Sequence, residues 1–287
     1  VGHSQGMSLT VPVYSIAKVY TALAALASFD LDDDVGAYVS QLRPDLAALS
    51  LRDLLTHRSG LNDYAGWPDY RAAVEAREEP WSHEHILERA EVGVPGEFRY
   101  SNIGFLLVRQ ALEQAHGKPY FEVLAERVFE PLGVQAHPFA SLSDWRRCDH
   151  PAIDAGLRSY HPGWVYPGTF AADPHEVARG LALAVSGALG EATARALRVT
   201  FDVDIPPSHP MSPGAGYGLG VMTSGTPVTA LGHGGQGPGF TLFAATNADG
   251  SRWHGEVRAT EGEDTELIRR CLTAVRPGGS HPKPSSG

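Results

Sequence analysis

The chain has 287 residues, of which 43% are hydrophobic and 20% are charged, and its formal net charge is −10. This composition is typical of a globular protein with enough apolar material for one large domain or two lobes. No run of Lys and Arg is present, which argues against a nucleic-acid partner. Cys148 and Cys271 stand far apart, which excludes a disulfide scaffold or a zinc ribbon.

No stretch of the chain reaches eighteen consecutive apolar residues, so we expect no membrane span. The first residue is Val1 and no signal peptide precedes it, which favours a cytoplasmic location over the alternative of a mature secreted form. The sequence leaves the oligomeric state open.

Periodicity and turn residues predict the elements in chain order. They are a strand at 7–13, a helix at 16–27, a helix capped by Ser50 with Asp53 and stopped at Gly60, helices that end at Gly117 and at Pro131 with Gly133, a helix from Asp173 and Pro174 to about Val185, strands in YGLGVMT, VTALGHGG, FTLFAATNADG and HGEVRAT, and a last helix at about 264–275.

These elements predict an α+β fold with an antiparallel sheet flanked by helices plus a mainly helical lobe. We expect one catalytic unit over 1–276, with an α/β lobe from about 1–30 and 214–276. The helical lobe is expected at about 31–213. The tail at 277–287 is poor in apolar residues and is expected to be disordered.

Two serines near the start compete as a nucleophile. Ser4 lies in a literal G-x-S-x-G, but that motif needs a strand before the serine and a helix after it, and here the order is wrong. Ser15 stands where an extended segment meets a helix, and Lys18 follows one helical turn later on the same face. The free N–H groups of the first turn could hold a developing oxyanion. Taken alone, S-x-x-K is also common by chance as a capping serine with an exposed lysine.

Two further segments favour Ser15. Tyr100 and Asn102 stand two apart at a loop–helix junction, and a tyrosine beside a lysine ammonium can ionise more easily and act as a general base. The segment 232–237, GHGGQG, puts glycines on a strand edge where a substrate can approach the backbone.

In this order, S-x-x-K, Y-x-N and H-x-G resemble the serine β-lactamase-like superfamily, in the branch of class C β-lactamases, D-Ala-D-Ala carboxypeptidases, D-aminopeptidases and related esterases. The resemblance extends to LSLRDLLTHRSGL at 49–61, to the segment 95–134 and to YGLGVM at 217–222. It spans about 12–247 and implies a β-lactamase/transpeptidase-like fold.

The resemblance implies a role for each matching residue. Ser15 would be the nucleophile that becomes acylated, Lys18 would lower its proton affinity, and Tyr100 would be the general base. The substrate-binding positions would be Asn102, His233, Gly235 and Gln236, with the backbone N–H groups of Ser15 and Gln236 as the oxyanion hole. His233 stands where many relatives carry lysine, so an esterase or peptidase is favoured over a true β-lactamase.

The sequence thus predicts a serine hydrolase that cleaves small esters or amides, with D-amino-acid peptides as one option, and that needs no cofactor or metal. An acyltransferase, a β-lactamase or carboxypeptidase, and a non-catalytic binding protein stay as alternatives. A histidine metal pair in His83-Glu84-His85 lacks helical ligand spacing, so a helix start is preferred there. The aromatic stretch 160–170 is expected to be a packed loop, with a pocket wall as the alternative.

Overall fold

The computed structural model describes residues 9–260 and 262–276. Its main sheet has six antiparallel strands in the order β4-β5-β6-β7-β8-β9. Their bounds are Phe201–Asp202, Gly216–Tyr217, Met222–Ser224, Ala230–Gly237, Phe240–Asn247 and Trp253–Arg258. A second sheet of three strands has the order β1-β3-β2, with β1 at Val11–Pro12, β2 at Ala136–Pro138 and β3 at Phe170–Ala172.

Strand β8 lies between β7 and β9 in the main sheet, and its eight residues are all buried. Both of its neighbours are long, and β7 pairs with it in register from Ala230 opposite Asn247 to Gly237 opposite Phe240. A strand buried on both faces reads as a nearly continuous apolar run, and FTLFAATN has that character.

Eleven α-helices occur in the described residues. They are α1 Ala17–Leu26, α2 Pro44–Ala47, α3 Leu51–Leu55, α4 Pro68–Glu75, α5 His83–Glu88, α6 Asn102–His116, α7 Tyr120–Leu124, α8 Glu130–Leu132, α9 Pro174–Val185, α10 Glu191–Ala196 and α11 Thr265–Val275. No helix among these residues is long and apolar enough to cross a bilayer.

Most predicted helix ends are confirmed by their capping contacts. The Ser50 side chain accepts a hydrogen bond from the Asp53 N–H, and Asp173 accepts one from the His175 N–H. Gly117 ends α6 in the left-handed conformation, with φ 60°. These short-range signals fix helix boundaries because each depends on only three or four neighbouring residues.

Three predicted elements differ from the structure. The strand expected at 7–13 is described only at Val11–Pro12, and residues before 9 lie outside the described part of the chain. The helix capped by Ser50 ends at Leu55 rather than running toward Gly60. The run expected to end at Pro131 is interrupted by a π-helical segment, Ala125–Phe129, between α7 and α8. The predicted tail at 277–287 also lies outside the described residues.

The sheet is covered by helices from distant parts of the sequence. Both α9 and α11 pack against β8 and β9, while α6 packs against α1 and α3. Both α9 and β4 fall within 31–213, where a helical lobe is expected, but α9 packs on β8 and β9 and β4 pairs with β5 in the main sheet. Helical periodicity shows that a segment has an apolar face and does not show which partner will cover that face.

Candidate active site

Ser15 lies in a short 3₁₀ turn, Tyr14–Ile16, that leads directly into α1. Lys18 lies in the first turn of that helix, and its Nζ is 3.1 Å from Ser15 Oγ. The three-residue spacing puts both side chains on one face of the turn. Tyr14 has a positive φ of 46°, an uncommon conformation for a bulky residue and one that functional sites often hold.

Glycines bring strand β7 against the turn that holds Ser15. A Cβ added to Gly235 would lie 2.3 Å from the Val13 carbonyl oxygen, and one added to Gly237 would lie 2.1 Å from the Tyr14 ring. Any side chain at these positions would therefore force β7 and the turn apart. Gln236 lies between the two glycines, on the part of β7 that packs against the turn Tyr14–Ile16.

Lys18 is fully enclosed, with 2% of its surface exposed. Its Nζ donates a hydrogen bond of 2.7 Å to Asn102 Oδ1. Burial lowers the pKa of Lys18 to about 7, and the nearby Asp63 carboxylate opposes that effect only in part. A large fraction of Lys18 is therefore a neutral amine at neutral pH, able to accept the proton of the Ser15 hydroxyl.

Tyr100 and Asn102 reach the nucleophile from the start of α6. Asn102 is anchored by Asp63, which accepts bonds from the Asn102 backbone N–H at 2.9 Å and from its Nδ2 at 3.2 Å. The ring of Tyr100 lies 5.0 Å from Lys18 Nζ, and its hydroxyl is near enough to the Ser15 side chain for that side chain to lower the Tyr100 pKa. The chain Asp63–Asn102–Lys18–Ser15 is therefore continuous.

The sequence leads us to expect Tyr100 as the general base, but the pKa values of Tyr100 and Lys18 favour the opposite assignment. Burial raises the pKa of Tyr100, and the hydrogen bond with Ser15 offsets this only partly. Tyr100 is thus a neutral hydroxyl at neutral pH, and a phenolate is disfavoured. Lys18 is the group whose pKa lies close to neutrality, which favours Lys18 over Tyr100 as the general base.

His233 is buried on β7 and bonded on both ring nitrogens. Its Nε2 is 3.0 Å from the Tyr217 hydroxyl, and its Nδ1 is 2.6 Å from the Gly234 carbonyl oxygen. A carbonyl can only accept, so Nδ1 carries the proton and Nε2 accepts from Tyr217. Burial and the Lys18 charge lower the pKa of His233 to about 3. A neutral histidine therefore takes the place at which a lysine would supply a fixed positive charge.

A cavity of about 1040 Å³ opens onto these residues and onto the glycine segment of β7. Its walls include all the predicted site residues except the enclosed Lys18. The described acidic residues that line it are Asp63, Glu75, Glu263 and Asp264, against one arginine, Arg71, whose side chain donates to the Ala65 and Gly66 carbonyls. The cavity is therefore suited to a neutral or cationic ligand rather than an anionic one.

Sequence reasoning missed three residues of the site: Asp63, His57 and Tyr217. Asp63 and His57 both lie in THRSGLND at 56–63, a segment in which local sequence signals predict only the end of a helix. Tyr217 lies in a segment read as a strand, with no signal that its hydroxyl would meet His233. The polar pair Asn62-Asp63, in a loop shortly after the predicted helix stop at Gly60, was the available signal for Asp63.

The two other segments singled out in the sequence lie mostly outside the cavity. The segment His83-Glu84-His85 begins α5, where Ser82 Oγ accepts from the His85 N–H. Of the stretch 160–170, Tyr160 lines the cavity while Trp164, Tyr166 and Phe170 are core residues.

One group in the described part of the chain has a metal-ligand composition: His254, Glu256 and Cys271. It does not line the cavity. Glu256 pairs with Arg270 at 3.0 Å, and the Cys271 thiol donates to the Phe243 carbonyl. These ligand atoms are already occupied by protein partners. Both Cys271 and Cys148 are buried free thiols.

The sequence matches the Beta-lactamase family over residues 10–252, so the chain belongs to that family. The family is part of a superfamily of serine hydrolases. A D-aminopeptidase from Brucella anthropi is 31% identical over 136 residues, which cover 44% of this chain. The matched part is only 25% of that relative's length, so the relative carries much sequence that the match does not reach.

Solved structures share the fold along nearly the whole chain. A D-stereospecific amidohydrolase from Streptomyces sp. superposes with a TM-score of 0.75 at 23% identity, covering 94% of this chain and 88% of that one. A D-amino acid amidase from Ochrobactrum anthropi SV3, complexed with D-phenylalanine, gives 0.71 at 20% identity and covers 95% of each chain. The expected β-lactamase/transpeptidase-like α+β fold is thereby confirmed.

Proposed function

We propose that the protein hydrolyses small amides of amino acids through an acyl-enzyme on Ser15. The observation that carries the proposal is the contact of Ser15 Oγ with Lys18 Nζ at 3.1 Å, at the wall of a large cavity. Lys18 is buried and its pKa is lowered to about 7, so it can act as a base at neutral pH. A serine next to a base within hydrogen-bonding distance is the arrangement that nucleophilic catalysis requires.

The proposed reaction has two halves. In the first, Ser15 Oγ attacks the amide carbon while its proton passes to Lys18, and the oxyanion is held by the N–H groups of Ser15 and Gln236. The C–N bond then breaks and the leaving amine receives the proton by way of the Tyr100 hydroxyl. In the second half, water attacks the ester carbon and gives a proton to Lys18. The bond between the acyl carbon and Ser15 Oγ then breaks, and Lys18 returns the proton to Ser15 Oγ.

Charge in the cavity supports a substrate with a free amino group. Asp63 lines the cavity, is half-buried and lies beside Asn102, next to the nucleophile. A substrate ammonium that reaches Asp63 would make a charge-assisted hydrogen bond. His233 is neutral and Arg71 is bound to backbone carbonyls, so the site lacks a free cation for a substrate carboxylate among its described walls. This favours amino-acid amides over β-lactams and over peptides cleaved at a free C-terminus.

The names of the similar proteins agree with this substrate class. The Brucella relative is a D-aminopeptidase, and two structural neighbours are a D-stereospecific amidohydrolase and a D-amino acid amidase. A preference for the D-series is therefore the form of the proposal to test first.

The test compares D-phenylalanine amide, L-phenylalanine amide and N-acetyl-D-phenylalanine amide, which has no ammonium. We expect hydrolysis of the first, and a kcat/KM about 10–100-fold lower for the acetylated amide, since one charge-assisted bond is lost. In Asp63→Asn the two D-amides should become equally poor. Glu75→Gln is the matched control, because it removes another cavity carboxylate and should keep the discrimination. Equal use of all three amides by the wild type would contradict the assignment of Asp63.

A further inference from the structure

His57 is a buried histidine that the reaction proposed above does not use. Only 1% of its surface is exposed, although it lies in a turn after α3. Its ring centroid is 4.2 Å from that of Tyr100, 4.8 Å from that of Tyr217 and 5.1 Å from that of Phe105. The imidazole is thus enclosed by aromatic rings, one of which is that of Tyr100, which lines the cavity together with Ser15.

Hydrogen bonds from His57 reach both chain neighbours of Tyr100. The His57 carbonyl oxygen accepts from the Arg99 N–H at 2.7 Å. The His57 Nδ1 accepts from the Ser101 N–H at 3.1 Å. His57 therefore accepts hydrogen bonds from the residues immediately before and immediately after Tyr100. Its ring also contacts the Tyr100 ring.

This arrangement fixes the protonation state of His57. A backbone N–H can only donate, so Nδ1 must be unprotonated and Nε2 carries the ring proton. Burial, with the Lys18 charge adding to it, lowers the pKa of His57 well below its usual range, so the ring stays neutral. Protonation of Nδ1 would remove the acceptor and release the Ser101 N–H.

Two features of His57 are unfavourable for the stability of the fold. Nε2 is buried and has no hydrogen-bond partner in the described part of the chain, and an unsatisfied buried donor is destabilising. His57 also has a positive φ of 57°, which is unfavourable for most side chains. An asparagine would supply the same acceptor through its Oδ1 and tolerates the left-handed region as well, so neither the Ser101 bond nor the backbone conformation requires a histidine. What the histidine adds is an aromatic ring, which lies against the ring of Tyr100.

We propose that His57 is a positioning residue that holds the Tyr100 hydroxyl against Ser15 through its two backbone hydrogen bonds and its ring contact. It touches neither substrate nor the reacting atoms. The proposal rests on the proposed function, since it assigns His57 a part in the proton transfer that Tyr100 performs.

Two substitutions separate the acceptor from the ring. His57→Phe keeps an aromatic ring and removes the acceptor, while His57→Asn keeps an acceptor and removes the ring. In His57→Phe we expect kcat for D-phenylalanine amide to fall about 100-fold with KM unchanged, the size of effect that a 1 Å misplacement produces. In His57→Asn we expect a loss of roughly tenfold, since only ring contacts are removed.

A double-substitution cycle tests whether His57 acts through Tyr100. In a Tyr100→Phe background, His57→Phe should cause little further loss of kcat, because the hydroxyl that it positions is already absent. If the two losses multiply, or if His57→Phe turns over as fast as the wild type, the proposal is wrong. Equal losses in His57→Phe and His57→Asn at matched melting temperatures would also overturn it.

A measurement on the unaltered protein guards against variants that fail to fold. The ¹⁵N chemical shifts of the His57 ring should show an unprotonated Nδ1 and a protonated Nε2 from pH 5 to pH 9. The opposite tautomer, or titration within that range, would overturn the proposal. Failure of the proposed function is distinguished from this, because it would appear as an inactive wild type with the expected His57 tautomer.

Discussion

Lys18 Nζ lies 3.1 Å from Ser15 Oγ, within a single turn of chain, and the lysine has only 2% of its surface exposed. Burial of a cation costs free energy unless the group gives up its proton, so the same packing that encloses Lys18 makes it a base near pH 7. Burial of Lys18 therefore destabilises the fold while the residue is charged and provides a base for Ser15 when it is neutral.

The pH dependence of the reaction should report the Lys18 titration. The neutral amine is the active form, and its pKa is lowered to about 7. We therefore expect kcat/KM to be constant above this pH and to fall about tenfold per unit below it. A neutral ester substrate is to be used, so that no ionisation of the substrate contributes.

Asp63→Asn provides the matched control for that profile. The Asp63 carboxylate raises the pKa of Lys18, so its removal should move the acid limb to lower pH. An acid limb that keeps its position in Asp63→Asn would assign the titration to another group.

Lys18→Met should abolish activity and stabilise the fold. Loss of the base should lower kcat by roughly 10²–10⁴-fold. In the folded state the pKa of Lys18 is lower than in the unfolded chain, so the wild type gains stability as pH rises from about 7 toward the usual lysine range. Below that window the buried cation is a cost that methionine removes. Thermal unfolding at pH 6 should show a Tm higher by roughly 2–4 °C per kcal/mol recovered. A lower Tm for Lys18→Met would contradict this account.

Gly235→Ala should impair catalysis where Gly234→Ala does not. The added Cβ at Gly235 would lie 2.3 Å from the Val13 carbonyl oxygen, whereas at Gly234 the nearest atom would be 3.6 Å away in the Phe243 ring. The first substitution must push β7 away from the Ser15 turn, and a shift of that size is expected to lower kcat by about 10²-fold. The second is an ordinary contact. Steady-state kinetics on both variants, with circular dichroism as the check on folding, decides the point.

Much of the fold could be predicted because its signals are local. The cap at Ser50, the stop at Gly117 and the strand in FTLFAATN each depend on a few adjacent residues, and each is confirmed. The three-stranded sheet could not be predicted in this way. It pairs β1 with β3, which lie more than 150 residues apart in the sequence. These strands have only two and three residues, too few to show an alternating hydrophobic pattern.

The site was predictable only in part, for a related reason. The sequence motifs point to Ser15, Lys18, Tyr100 and Asn102, and the structure brings these four side chains together. Motif spacing does not give pKa values, however, and burial makes Lys18 rather than Tyr100 the more suitable base. His57 and Asp63 escaped notice because their roles depend on hydrogen bonds to residues some forty positions away.

The most direct test of the account is the intact mass of the protein after brief exposure to a fluorophosphonate, with the modified residue located by peptide mapping. Wild type, Ser4→Ala and Ser15→Ala are to be compared under identical conditions. The account predicts a single adduct on Ser15 in the wild type and in Ser4→Ala, and none in Ser15→Ala. An adduct that persists in Ser15→Ala, or that disappears in Ser4→Ala, would contradict the central claim that Ser15 is the nucleophile.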